Sequence, residues 1–140
     1  MEKNDCWNVP NLVPWYVSQF QKVIIATFYR LPSGKEPVRE WLLKLSAADR
    51  KIIGGDLMAV EFGWPCGEPL CKSLSGYVGL REVRSDLPDG RIARVFFYVS
   101  GSKMMLLHGF VKKSQKTPEK DLKLANKRKK EHERYEAQKD

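Results

Sequence analysis

The chain has 140 residues, enough to bury a hydrophobic core within one domain, and its 42% apolar content is ordinary for a folded soluble protein. Its 25 basic and 17 acidic side chains give a net charge of +8, and no apolar run approaches the ~20 residues that a bilayer span needs. Glu2, Lys3 and Asp5 have no apolar stretch behind them, so a secretory signal is not expected and the cytosol is the expected compartment.

Cys6, Cys66 and Cys71 form an odd set without a CxxC, which argues against a disulfide framework or zinc knuckle and for reduced thiols. The charge is uneven. Residues 1–70 hold eight basic and eight acidic side chains, residues 71–110 net +3, and residues 111–140 net +5. A neutral front and a basic back suggest that the second half faces a polyanion.

Residues 1–22, with Pro10 and Pro14, read as an arm whose Trp7, Leu12, Trp15, Tyr16 and Phe20 are available to dock on the body. Residues 23–140 read as a single domain. Val23 to Tyr29 is dense in β-branched and aromatic residues and predicts a strand, closed by Leu31-Pro-Ser-Gly34. Pro37 suits a helix start, and Val38, Trp41, Leu42 and Leu45 follow at helical spacing.

Ser46 and Asp49 resemble a capping box opening a second helix that carries Ile52, Ile53, Leu57 and Val60 to Gly63, so the pair predicts a helical hairpin. Gly54-Gly55 within it suggests either close packing against a strand or an early break. After a loop at Gly63–Gly67 the period becomes alternating. Leu80–Arg84 and Arg91–Val99 predict two strands across a turn with Pro88 and Asp89-Gly90, and Lys103–Phe110 a central strand buried on both faces. Thr117-Pro118-Glu119 predicts the start of a last helix with Thr117 as its cap. The order is β, α, α, three antiparallel strands and a helix, an α+β domain.

Few known constellations fit. Neither His108 nor His132 lies near a GxSxG turn, and a Walker loop, a dinucleotide fingerprint and HExxH are all missing. Zinc would need ligands beyond Cys66, Cys71 and His108, so neither metal nor cofactor is expected. His108, inside MMLLHGF, reads as a buried histidine bonded to a neighbouring element before it reads as a general base.

A cationic cluster remains. Alternation puts Glu82 and Arg84 on one face of their strand, with Arg81 on the other, and groups Ile92, Arg94, Phe96 and Tyr98 on one face of the next. Arginines in a half-apolar sheet need an anion or a carboxylate. Either Glu82 neutralises one of them, or the face binds phosphate, its edge finished by Lys112, Lys113 and Lys116.

Pro69-Leu70-x-Lys72-x-Leu74, Gly79-Leu80-x-Glu82-x-Arg84, Arg94-x-Phe96-x-Tyr98 and the segment LLHGFVKKSQKTP (Leu106–Pro118) together resemble the phage-derived HigB-type toxins of the RelE/ParE superfamily, over about residues 23–128. The resemblance implies a RelE-like α+β fold: an N-terminal strand and α-hairpin on a small antiparallel sheet, with a C-terminal helix. It implies the toxin of a type II toxin–antitoxin system, a metal-independent, ribosome-dependent messenger-RNA endoribonuclease held by a helix-turn-helix antitoxin. Arg84, Arg94 and Lys113 are then the catalytic candidates, and Lys72, Arg81, Arg91, Lys112 and Lys116 the RNA-binding ones. Two departures stand out: Arg81 occupies a position where the family usually has an aromatic residue, and the arm is longer than typical, which suits antitoxin docking or a homodimer.

The competing reading is a non-catalytic ParE-type gyrase inhibitor, or an inactive phage-derived module that binds RNA or protein. Past Ala125 the last helix is almost wholly charged. Lys127 with Glu131 and Lys129 with Glu133 are spaced as i,i+4 pairs that solubilise it, and RNA or antitoxin contact is the alternative.

Overall fold

The computed structural model describes residues 21–112 and 118–139. The first β-branched cluster forms β1 (Ile25–Phe28). Helix α1 (Pro37–Leu43) begins on its proline, and α2 (Ala47–Gly63) begins on Ser46, whose hydroxyl accepts from the Asp49 amide at 3.1 Å. The expected capping box is only half made, because the Asp49 carboxylate turns to Arg91 instead of back to Ser46. Arg50 Nη1 donates to the Leu45 carbonyl at 2.7 Å, so a cation from α2 caps the negative end of α1.

Gly54 and Gly55 mark neither a break nor a close approach. The helix runs through them, both are exposed, and a Cβ at either would meet nothing within 4 Å.

The remaining strands are β2 (Cys71–Ser73), β3 (Arg81–Asp86), β4 (Ile92–Ser100) and β5 (Lys103–Lys112), and the last helix is α3 (Glu119–Gln138). Strand β2 is not anticipated by the sequence; three residues are too few to show a period. Its partner is β3, where the alternating pattern is clear. Pro118 stands at the N-cap of α3, and Thr117, the expected cap, lies outside the described residues. So do residues 1–20 of the arm; Lys22, at its end, pairs with Glu61 of α2 at 3.1 Å.

The sheet order is β1-β5-β4-β3-β2. Every pairing is antiparallel except β1 with β5, which runs parallel from Ile25↔Lys103 to Phe28↔Leu106. The sheet is therefore mixed, not wholly antiparallel as expected. The two helices carry the chain from β1 to the far edge, and three antiparallel steps back leave β5 running in the direction of β1. The fold is α+β and compatible with the RelE-like arrangement, and β5 is an interior strand paired on both sides, as expected, with β4 at the middle of the sheet.

Both faces are covered. Ala93, Val95, Phe97, Met104 and Leu106 pack with Val38 of α1 and Ile53, Leu57 and Val60 of α2. Phe96, Tyr98, Met105 and Leu107 pack with Leu122 and Ala125 of α3. A β-bulge decides what β5 shows to each side. Phe96 faces His108 but Phe97 faces Leu106, so Leu107 is the extra residue. Plain alternation from Leu106 would aim His108 at the helical hairpin; the bulge puts it on the α3 side. It turns Gly109 toward the hairpin instead, where a Cβ would lie 2.5 Å from the Trp41 ring.

Candidate nucleic-acid interface

Cross-strand register assembles the site on the α3 side of the sheet. One row runs Lys72–Glu82–Phe96–His108, and the next Arg84–Arg94–Phe110. A third, at the rim, is Asp86–Ile92–Lys112. Directly opposed residues share a face, and neighbouring strands lie about 4.8 Å apart, so Arg84 and Arg94 stand side by side.

Two like charges so placed repel, and two carboxylates answer them. Arg94 Nη1 donates to Glu82 Oε2, with both side chains almost fully buried, and Arg84 Nε sits 3.7 Å from Asp86 Oδ1. The two arginines therefore have different work. Arg94 is 2% exposed and holds Glu82 inside the sheet, whereas the side chain of Arg84 keeps 34% of its surface in water. Of the two readings of Glu82, the structural pair is the one realised, and the partner is Arg94. Arg84, Asp86, Pro69 and Leu70 also line a cleft of about 590 Å³ with Ile52 and Asp56 of α2.

Lys72 and Lys112 flank these rows. Lys113 and Lys116 lie outside the described residues. Arg81 and Arg91 do not join the cluster. Arg81 points to the hairpin side, its guanidinium 4.9 Å over the Trp64 ring and its Nη1 donating to Ser73 Oγ at 3.0 Å. A planar cation stacked on tryptophan thus occupies the position at which this chain departs from the toxins it resembles. Arg91 grips Asp49 with two hydrogen bonds of 2.7 and 3.2 Å, tying the β3–β4 turn to the start of α2. That guanidinium holds the Asp49 carboxyl below its ordinary range.

The helix α3 is fastened over this face by polar pairs that sequence reasoning missed. His108 Nε2 lies 2.6 Å from Asp121 Oδ1, and its ring stacks on Phe110 with centroids 5.6 Å apart. A hydrogen bond to a neighbouring strand or helix is the role expected of this histidine, and its partner Asp121 on α3 is what the sequence left open. Tyr77 donates to Glu119, which raises the phenol above its usual value. Tyr29 donates to Glu131 at 2.9 Å, and burial together with that carboxylate pushes its phenol up to about 12.

Tyr98 Oη meets His132 Nδ1 at 2.5 Å, and His132 Nε2 is 3.2 Å from Glu136. Burial lowers the His132 pKa from its ordinary 6.5. Arg128 Nη1 donates at 2.8 Å to the carbonyl of Leu107, the bulge residue, and burial lowers its pKa too. Apart from His132–Glu136, which is spaced i,i+4 within α3, none of these partners is legible from spacing, since each joins α3 to a residue at least 13 positions earlier in the chain.

Cys66 and Cys71 are both free thiols, as expected, and burial raises the Cys71 pKa to about 12. No helix among the described residues is long and apolar enough to cross a membrane.

Residues 40–130 match the family model described as phage-derived protein Gp49-like, a span that contains α2, all the site rows and the first half of α3. The chain belongs to the Gp49-like family. That family is related to the toxins of the RelE and toxin–antitoxin groups. No curated protein sequence matches the chain significantly. The Gp49-like match and the α+β fold agree with the relationship read from the motifs, at the level of the wider superfamily.

Proposed function

We propose that this Gp49-like chain is a HigB-type toxin that cleaves messenger RNA on the ribosome and is held inactive by a helix-turn-helix antitoxin. The observation that carries the reading is the row Arg84–Arg94, two cations abreast on a sheet face with Lys72 and Lys112 at its margins. Cleavage without a metal has the ribose 2′-hydroxyl attack the adjacent phosphorus as the bond to the 5′-oxygen breaks. A 2′,3′-cyclic phosphate remains, and the proton lost from the 2′-oxygen is balanced by one gained at the 5′-oxygen.

Negative charge builds on the phosphoryl oxygens in the transition state, and preplaced cations stabilise it without reorganising. Arg84 is the exposed cation for that charge. Arg94 acts beneath it: its pair with Glu82 keeps the face from collapsing and fixes where Arg84 stands. Lys72 and Lys112 hold the RNA backbone on either side, with Lys113 and Lys116 as further candidates in the segment after β5. Phe110, half-buried beside Arg94, offers a ring on which a base can stack.

Primer extension on messages after induced expression tests this. Wild type gives codon-linked cuts, Arg84→Ala loses them by at least about 100-fold, and Arg94→Ala loses them together with fold stability. Intact messages beside a stalled gyrase would overturn the reading.

A further inference from the structure

The outer face of α3 carries a second cationic feature. At about 100° per residue, Lys120, Lys123, Lys127, Lys130 and Arg134 fall within an arc of about 80°. Along the axis they extend about 21 Å. All five are exposed. The side of the helix that docks on the sheet, with Asp121, Ala125 and His132 buried, lies opposite them.

A lysine-rich helix usually neutralises itself through i,i+4 pairs. Here the carboxylates of α3 are directed elsewhere. Glu119 goes to Tyr77, Asp121 to His108, Glu131 to Tyr29, Glu133 to Lys129 and Glu136 to His132. Lys129–Glu133 is the pair expected from spacing, but Lys127–Glu131 is not made, because Glu131 turns inward. None of the five outward cations forms an ion pair with a described residue.

We infer that this stripe is a docking rail for the phosphate backbone of double-helical RNA, separate from the cleavage face. The inference rests on the proposed action on a ribosome, whose RNA is such a ligand, and goes beyond it in naming the surface. The spacing supports it: cations one helical turn apart, with no acid between them, match a polymer of regular negative charge. A membrane surface fits poorly, since an interfacial helix must bury an apolar face and the apolar side of α3 is already spent on the sheet.

The test is a salt titration of binding between the full chain and a labelled RNA stem-loop. The variant Lys120→Gln/Lys123→Gln/Lys127→Gln/Lys130→Gln/Arg134→Gln should bind at least about tenfold more weakly at 0.15 M salt. Its slope of log affinity against log salt should be shallower by about 4 than that of wild type. A variant with the four lysines changed to arginine should keep both. Circular dichroism should show the glutamine variant folded, since all five positions are exposed.

An unchanged slope in the folded variant would overturn the inference. So would equal losses for a DNA duplex of the same sequence, or for poly-L-glutamate, because the surface would then read charge alone. Wild type that binds the stem-loop with the steep slope yet cuts no message would leave the rail standing and sink the cleavage reading. Wild type that cuts messages while the glutamine variant binds the stem-loop unchanged would do the reverse.

Discussion

The two faces of the sheet are built on different principles. The hairpin face is mainly an apolar contact: Ile53, Val60, Ala93, Phe97 and Met104 are all fully buried, with Phe97 edge-on to Trp64 at 5.9 Å and the Arg91–Asp49 pair tying the β3–β4 turn to α2. The α3 face mixes Phe96 and Leu107, equally buried, with Glu82–Arg94, His108–Asp121 and Tyr98–His132. The hairpin face is held by area excluded from water, which tolerates small shifts in direction. The α3 face is held by groups that must each find a partner, since an orphaned buried polar group costs more than its bond contributes. One side is built mainly of apolar contacts, and paired polar groups fix geometry on the other, where the exposed cations stand.

That contrast can be broken most forcefully from either core. Phe97→Ala on the hairpin face should cost about 3–5 kcal/mol, read as a lower midpoint in urea unfolding. Glu82→Ala on the other face should cost a similar amount, about 3–5 kcal/mol, for a different reason: it leaves a guanidinium buried without its carboxylate. The two separate on rescue. The double variant Glu82→Leu/Arg94→Met should regain most of the stability by replacing the ion pair with apolar contact, yet remain unable to cut messages. A double variant as unstable as Glu82→Ala would show that the pair is not what makes this face polar by design.

A smaller effect is expected at the start of α2. Ser46→Ala should cost about 1 kcal/mol in the same unfolding measurement, because the Asp49 amide loses its acceptor while Asp49 keeps Arg91.

The finest test is pH. Burial keeps His132 neutral below its ordinary value of 6.5, so in that interval the unfolded chain takes up a proton that the folded chain refuses. Its contribution is therefore present above pH 6.5 and lost as pH falls through the depressed folded value. In His132→Gln, the stability-against-pH curve should flatten across this range. A slope unchanged by the substitution would assign the acid sensitivity to another group.

Much of the architecture follows from local pattern. The β-branched run before Tyr29, Pro37, the Ser46 cap and the alternation of Arg81–Arg84 and Ile92–Tyr98 are each read by the backbone within a few residues, so element types and the α+β class were legible. Strand β2 was not, since its only signal is its pairing with β3. The site was legible by halves. Alternation already put Arg84 with Glu82 on one face of its strand and Arg81 on the other, because side-chain direction along a regular strand is fixed by the pleat; the register of β3 with β4 is what brings Arg94 beside Arg84.

What the sequence by itself determined, then, is the class, the run of elements, and a basic second half with arginines on two successive strands. Only the tertiary structure decided which charges remain outward. The bulge at Leu107 breaks the alternation of β5, sending His108, Phe110 and Lys112 to the α3 side, and a one-residue offset of this kind reverses every side chain beyond it. Packing of α3 then assigns Glu119, Asp121 and Glu131 to Tyr77, His108 and Tyr29, contacts that bring together residues far apart in the chain, while Glu136 goes to His132 one turn back. Net charge was a property of composition; a cationic face is a property of where the carboxylates went.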